Sequence, residues 1–159
     1  MSATVDDLDA RIVRLFADEP RVGVLEASRR LGVARGTVQA RLDRLSRLGV
    51  VSAWGPDLDP AALGYPVMAF ATLEIRQGAG HDVVAQHLAR IPEVLEAFTI
   101  TGAGDMWCRI VARSNADMQR VIDAVVAFDG IVRTSTVIAL ARQIPHRVLP
   151  LLDEASAQD

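Results

Sequence analysis

Between two apolar runs the chain carries ITGAGDMW, Ile100–Trp107, in which two glycines and an aspartate fall within four residues. Glycines leave backbone N–H groups open to an anion, and an aspartate beside them offers an acceptor, so this composition suits a ligand bearing both a carboxylate and an ammonium group. A dinucleotide loop is excluded. It needs Gly-x-Gly-x-x-Gly leading from a strand into a helix, whereas Trp107 stands at the third glycine's place and a strand pattern, MWCRIVA, follows. The same residues suit a glycine-rich hairpin turn, and the two readings are compatible.

A second set of reactive side chains is cationic. Ser28–Leu48 hold Arg29, Arg30, Arg35, Arg41, Arg44 and Arg47, opposed only by Asp43. The chain contains no lysine, so these contacts are guanidinium contacts, which favour paired hydrogen bonds to phosphate or guanine over diffuse attraction. The first fifty residues carry nine arginines against seven acids, while the rest carry eight against thirteen, although the whole chain has a net charge of −3. A basic face on an acidic chain is the footprint of a small DNA-binding head on a body with another job.

Other chemistries find little support. Cys108 is the single cysteine, so no internal disulfide forms, and its surroundings read as a buried strand. His81, His87 and His146 are scattered, and no Cys-x-x-Cys exists, so no metal site is expected. The N-terminus has no basic start followed by an apolar segment, and no apolar run is long enough for a bilayer, which predicts a soluble, cytoplasmic protein without a membrane partner.

These groups need elements to hold them. TVDDLDARIVRLFADEP predicts a helix with Thr4 as N-cap, an apolar face of Leu8, Ile12, Leu15 and Phe16, and a stop at Pro20. Two further helical patterns are hinged at Gly32. Ser28, Gly32 and Val38 supply a small residue at a close crossing, a left-handed turn and a β-branched plug, the spacing of a helix-turn-helix; a plain αα-hairpin with exposed arginines is the alternative. Val50–Trp54 reads as a short strand in a Gly- and Pro-rich linker. From Val67 the order is β-α-β-β-α-β, the ferredoxin-like arrangement. The fold class is therefore α+β, with an N-terminal, winged helix-turn-helix head over residues 1–50, a linker over 51–66, a ferredoxin-like effector and oligomerisation domain over 67–145, and a tail over 146–159.

Together, DLDARIVRLFADEPR, ASRRLGVARGTVQARLDRLSRLGVV, DLDPAALGYP, TGAGDMW and GIVRTSTVIAL resemble the Lrp/AsnC, or feast/famine, family across nearly the whole chain. The resemblance implies a transcription regulator that dimerises through its sheet, assembles into tetramers or octamers, and binds an amino acid or related small molecule between dimers. It needs no cofactor. Its effector pocket carries over to Thr101, Gly102, Gly104, Asp105 and Met106, with Thr134, Ser135 and Thr136 as a further wall. The family usually has Ser or Thr where this chain has Ala34, and with Gly36 in the same turn this predicts a recognition helix that starts late or is ordered by DNA.

Placing Val38 in the core turns Gly36, Ala40 and Arg47 outward. Arg35, Thr37, Gln39, Arg41 and Arg44 are the expected contacts to bases or phosphates, with Arg29 and Arg30 on phosphates; removal of Arg41 or Arg44 is expected to weaken binding to double-stranded DNA and leave the fold intact. An effector-independent architectural DNA-binding protein is the alternative within DNA binding. The sirohaem decarboxylases share this layout, but an enzyme needs convergent side chains in the sheet cleft, and the three histidines and Tyr65 are not expected to converge. No catalytic residues are assigned.

Overall fold

The computed structural model describes residues 5–157, arranged as two compact units. One comprises the chain up to Pro56 together with the segment from Ile144, and the other is Asp57–Gln143.

The first unit opens with α1, Asp7–Asp18. Thr4 lies outside the described residues, and the N-cap is Asp6, which forms a reciprocal capping box with Asp9. In that box two acidic side chains satisfy backbone N–H groups that the first turn cannot pair internally. Helix α2, Val24–Leu31, ends at Gly32 in the left-handed conformation with φ 70°, and α3 spans Arg35–Arg47. Ser28 is buried, and its hydroxyl donates to Leu25 O at 2.8 Å, so the small residue at the crossing also satisfies its own polar group.

Ile12, Ala27, Val38 and Leu42 form the core under the two helices. Ala34 caps α3 with no side-chain hydrogen bond, yet the helix starts at Arg35 without delay. Complete burial of Val38 in that core outweighs the missing cap, a packing contribution larger than a capping term of roughly 1 kcal/mol.

Two expectations for this unit are corrected. Val50–Trp54 forms no strand, so the described head has no wing built there. Gly49, at φ 72°, reverses the chain, the Val50 and Val51 N–H groups both donate to Leu45 O, and the two valines pack on a second cluster of Val5, Ala10, Leu45 and Leu152. The β-branched pair is there to fill a core; among the described residues no neighbouring strand pairs with it. Trp54 then meets Phe16 edge-on at 5.8 Å between ring centroids. Residues 146–159 are likewise more than a tail: Leu149–Ser156 form α6, which packs Leu149 and Leu152 into the same cluster while Asp153 accepts from Arg14.

The second unit is a four-stranded antiparallel sheet in the order β2-β3-β1-β4, with β1 Val67–Ile75, β2 Val94–Thr99, β3 Met106–Ala112 and β4 Ile131–Ala139. Helices α4, His81–Leu88, and α5, Asn115–Val126, complete the β-α-β-β-α-β order. Strand alternation decides what each face holds. Ala69, Ala71 and Leu73 pair with Ile110, Cys108 and Met106, and this face meets Val84, Leu88, Met118, Val121 and Val125 in the core. The opposite face carries Phe70, Trp107 and Phe98, with Phe98 and Val137 half or more exposed. No described helix is long and apolar enough to cross a membrane.

Candidate functional site

Two groups of side chains are candidates, one in each unit. In the head, α3 is sharply divided. Val38, Leu42 and Leu45 are buried, while Arg35, Gly36, Gln39, Ala40, Asp43 and Arg47 are exposed and Thr37 lies at the margin. Gln39 Nε2 donates to Asp43 Oδ1 at 2.9 Å, which holds the amide against its own helix.

The remaining arginines are engaged to different degrees. Arg29 projects outward with only a 3.8 Å approach to Glu26, whereas Arg30 bridges Glu19 at 2.5 Å and Glu26 at 2.9 Å. Arg41 and Arg44 turn toward α1. Asp9 there is fully buried, and its carboxylate accepts from Arg41 Nη1 at 3.0 Å and Arg44 Nη1 at 2.8 Å. Arg41 Nη1 also donates to Asp6, and this hydrogen bond holds the Asp6 carboxyl below its ordinary value and raises the Arg41 guanidinium.

The expectation that Arg41 and Arg44 are dispensable to the fold is therefore corrected. A buried carboxylate deprived of a partner is costly. Sequence reading missed Asp9, although a signal was present: it sits three residues before Ile12, on the edge of the apolar face of α1, and three after Asp6 at capping-box spacing.

In the body, the loop between β2 and β3 is a tight connection tucked against β1. Gly102 and Gly104 have φ of 104° and 110°, a region other residues avoid. A Cβ on Gly104 would stand 2.4 Å from Thr72 Cγ2 and 3.2 Å from Leu73 O, so glycine is also required for close approach. Thr101 and Gly102 are exposed.

Asp105 is half-buried and structural on one side: its N–H donates to Leu73 O at 2.8 Å, and its Oδ2 accepts from Ile75 N–H at 2.7 Å. That second bond stitches the loop to the irregular end of β1, where the register shifts between Glu74 and Ile75. Asp105 also borders an open depression of ≈ 350 Å³ lined by Ile75, Arg76, Gly78, Gly80 and His81, residues the sequence reading did not select.

The other expected pocket residues divide. Met106 is buried on the helix-covered face opposite Leu73, because strand alternation sends it inward, so it belongs to the core and offers no contact at the loop surface. Thr134 and Thr136 pair with Leu73 and Ala71 on that same face, their hydroxyls buried without hydrogen-bond partners, while Ser135 pairs with Thr72 on the other face and is exposed. Three consecutive strand residues cannot form one wall. His87 sits against α5, its Nε2 3.0 Å from the Ala124 and Val125 carbonyls and its ring stacked on Phe128. Cys108 is buried, which pushes its thiol up to about 11, and no group of three metal-binding side chains occurs among the described residues.

A family model for the AsnC-type helix-turn-helix domain matches residues 5–46, and one for the Lrp/AsnC ligand binding domain matches residues 68–149. The chain belongs to the Lrp/AsnC family. The HTH-type transcriptional regulator FL11 of Pyrococcus horikoshii is 28% identical to this Lrp/AsnC chain over 151 residues, 95% of this chain and 99% of that protein. The structure of Escherichia coli AsnC has a TM-score of 0.85 at 26% identity, covering 93% of this chain and 100% of that one. A transcriptional regulator of Neisseria meningitidis, solved as a complex with L-Met, has a TM-score of 0.79 at 23% identity over 90% of this chain and 94% of that one. As a Lrp/AsnC member the chain is a DNA-binding transcriptional regulator, and the family is one of regulators and not of enzymes.

Proposed function

We propose that α3 reads duplex DNA with its outward strip, that the chain works as a homodimer joined through the uncovered sheet face and assembled further, and that an amino acid or related small molecule at the β2–β3 loop biases that assembly. The segregation of α3 carries the reading. Gly36 and Ala40 let the backbone approach the groove floor, Arg35, Thr37 and Gln39 lie where base edges and nearby phosphates fall, and Arg29 adds a phosphate contact. Arg30, Arg41 and Arg44 reach phosphates from ion-paired positions.

Two observations support the rest. Phe70, Trp107 and Phe98 form an aromatic strip, with centroids 5.0 and 5.8 Å apart, on a face that no helix of its own unit covers, and a second copy would bury it. Asp105 contributes a carboxylate to a depression whose rim holds Gly78, Gly80 and His81, a composition suited to a ligand with an ammonium group and a carboxylate. The L-Met bound by the Neisseria meningitidis protein is consistent with that class. A ligand preferring one assembly state shifts the spacing of the heads presented to DNA.

Gel shifts with Arg35→Ala and Gln39→Ala test the DNA face. Each is expected to weaken binding roughly fivefold or more, from about 1–3 kcal/mol per base contact, and unchanged affinity for both would overturn it. For the effector, a screen of standard amino acids by thermal shift should raise the melting temperature for at least one. If saturating amino acids change neither sedimentation nor DNA affinity, the effector reading fails.

A further inference from the structure

We propose that Asp9 is a positioning residue for DNA recognition: it sets the orientation of the reading helix through the two arginines it holds. The proposal rests on α3 being the helix that reads DNA.

Asp9 stands in the first turn of α1 and is fully buried, and a carboxylate in that state must be paired. Its partners come from its own turn and from α3. Asp6 N–H donates to Oδ2 at 3.2 Å, while Arg41 and Arg44 donate to Oδ1 and Oδ2. Arg41 and Arg44 are three residues apart on one flank of α3, so their attachment to a single carboxylate fixes rotation about the helix axis as well as position.

Apolar contacts alone define that rotation less sharply. Val38, Leu42 and Leu45 hold α3 against the core, but the N-terminal end of α3 has no side-chain cap and includes Gly36 in its first turn. Directional, charge-assisted bonds supply what non-directional packing lacks. Arg41 and Arg44 keep 30% and 36% of their side-chain surface in solvent, so the same guanidiniums held from behind are presented beside the outward strip. The acid that faces away from DNA thereby sets the register of Arg35, Thr37 and Gln39 on base edges, which demand tighter placement than phosphates do.

The sign of the effect separates this role from simple charge. Replacing Asp9 by Asn removes a negative charge from the head and by electrostatics alone would strengthen binding to any duplex. Loss of positioning instead weakens only sequence-selective binding.

The test uses the full chain and two duplexes of equal length, one enriched by the wild type from a randomised pool and the other its shuffled sequence. Affinities are read well below the melting temperature, with circular dichroism confirming helix content. For Asp9→Asn the ratio of selected to shuffled affinity is expected to fall at least tenfold, with affinity for the shuffled duplex equal or higher. If the variant does not fold, the ratio is read on Asp6→Asn, which keeps an N-cap side chain and buried Asp9 but removes one of the two carboxylates on Arg41; a drop of about threefold is expected. An unchanged ratio in a folded Asp9→Asn, or in Asp6→Asn where only that variant folds, overturns the proposal. If the wild type itself does not discriminate between the duplexes, it is the DNA-reading assignment of α3 that fails, and the proposal with it.

Discussion

Gly104 shows how a single position in this chain carries two constraints at once. Its φ of 110° excludes ordinary side chains, and a Cβ would press on Thr72 Cγ2 at 2.4 Å and on the Leu73 carbonyl at 3.2 Å. Thr72 can turn aside, but the backbone oxygen cannot. Gly104→Ala is expected to destabilise the body by roughly 1–3 kcal/mol, read as a lower urea midpoint with an unchanged slope. Gly102 has a similar φ and open space around it, so Gly102→Ala should cost less. Asp6 gives a prediction in pH. Its carboxyl is held below its ordinary value of 3.8 chiefly by the hydrogen bond from Arg41, so it stabilises the fold above that value and loses the contribution as pH falls through the lower, folded-state value. Thermal unfolding of Asp6→Asn should fall below wild type at about pH 6, and the gap should close below about pH 3.8. A constant gap over that range would show that the pair with Arg41 is not its origin.

At the scale of elements, α6 makes the clearest demand. It buries Leu152 against Val5, Ala10 and Leu45, the last of these on α3. Leu152→Ala should cost roughly 2–3 kcal/mol of head stability, near the low end for a buried leucine because Leu152 lies at the edge of the cluster. Each unit holds one tryptophan, Trp54 in the head and Trp107 in the body, so with Trp107→Phe the fluorescence of Trp54 reports the head alone. An unaltered Trp54 transition in the Leu152→Ala variant would mean that α6 is not part of the head's cooperative unit.

Local packing decides what the sequence makes legible. Periodic apolar faces marked α1, α3 and α5, and the Ser28, Gly32 and Val38 spacing marked the turn, because these patterns arise from local packing against one core. Val50–Trp54 and α6 were misread because their burial is against elements distant in sequence. A β-branched pair filling a remote core looks locally like a strand, and a short helix after His146 looks like a tail. In the pocket, glycine at Gly104 was legible from its type, and the division of Thr134, Ser135 and Thr136 between the two faces follows from strand alternation, which their grouping as one wall did not respect.

At the scale of the whole molecule, the open sheet face is the proposed seat of assembly. Phe70, Trp107 and Phe98 run across it from the central strands β1 and β3 to the edge strand β2, flanked by the Arg109–Glu96 ion pair at 3.0 Å. Trp107→Glu should leave the body folded, since its core lies on the other face, and raise the dimer dissociation constant roughly a hundredfold, visible by sedimentation. Unchanged association would move the interface elsewhere. DNA affinity should fall with it, because one head buries too little surface for selective binding.

The head is assembled from two stretches of chain, with the whole body lying between them in sequence. During synthesis its first three helices therefore leave the ribosome long before the segment that contributes Leu149 and Leu152 to their core. The second core of the head is therefore complete only after the sheet has been made, so a chain cut short after the body would keep all four strands and the core of Ile12, Ala27, Val38 and Leu42 but lack Leu149 and Leu152.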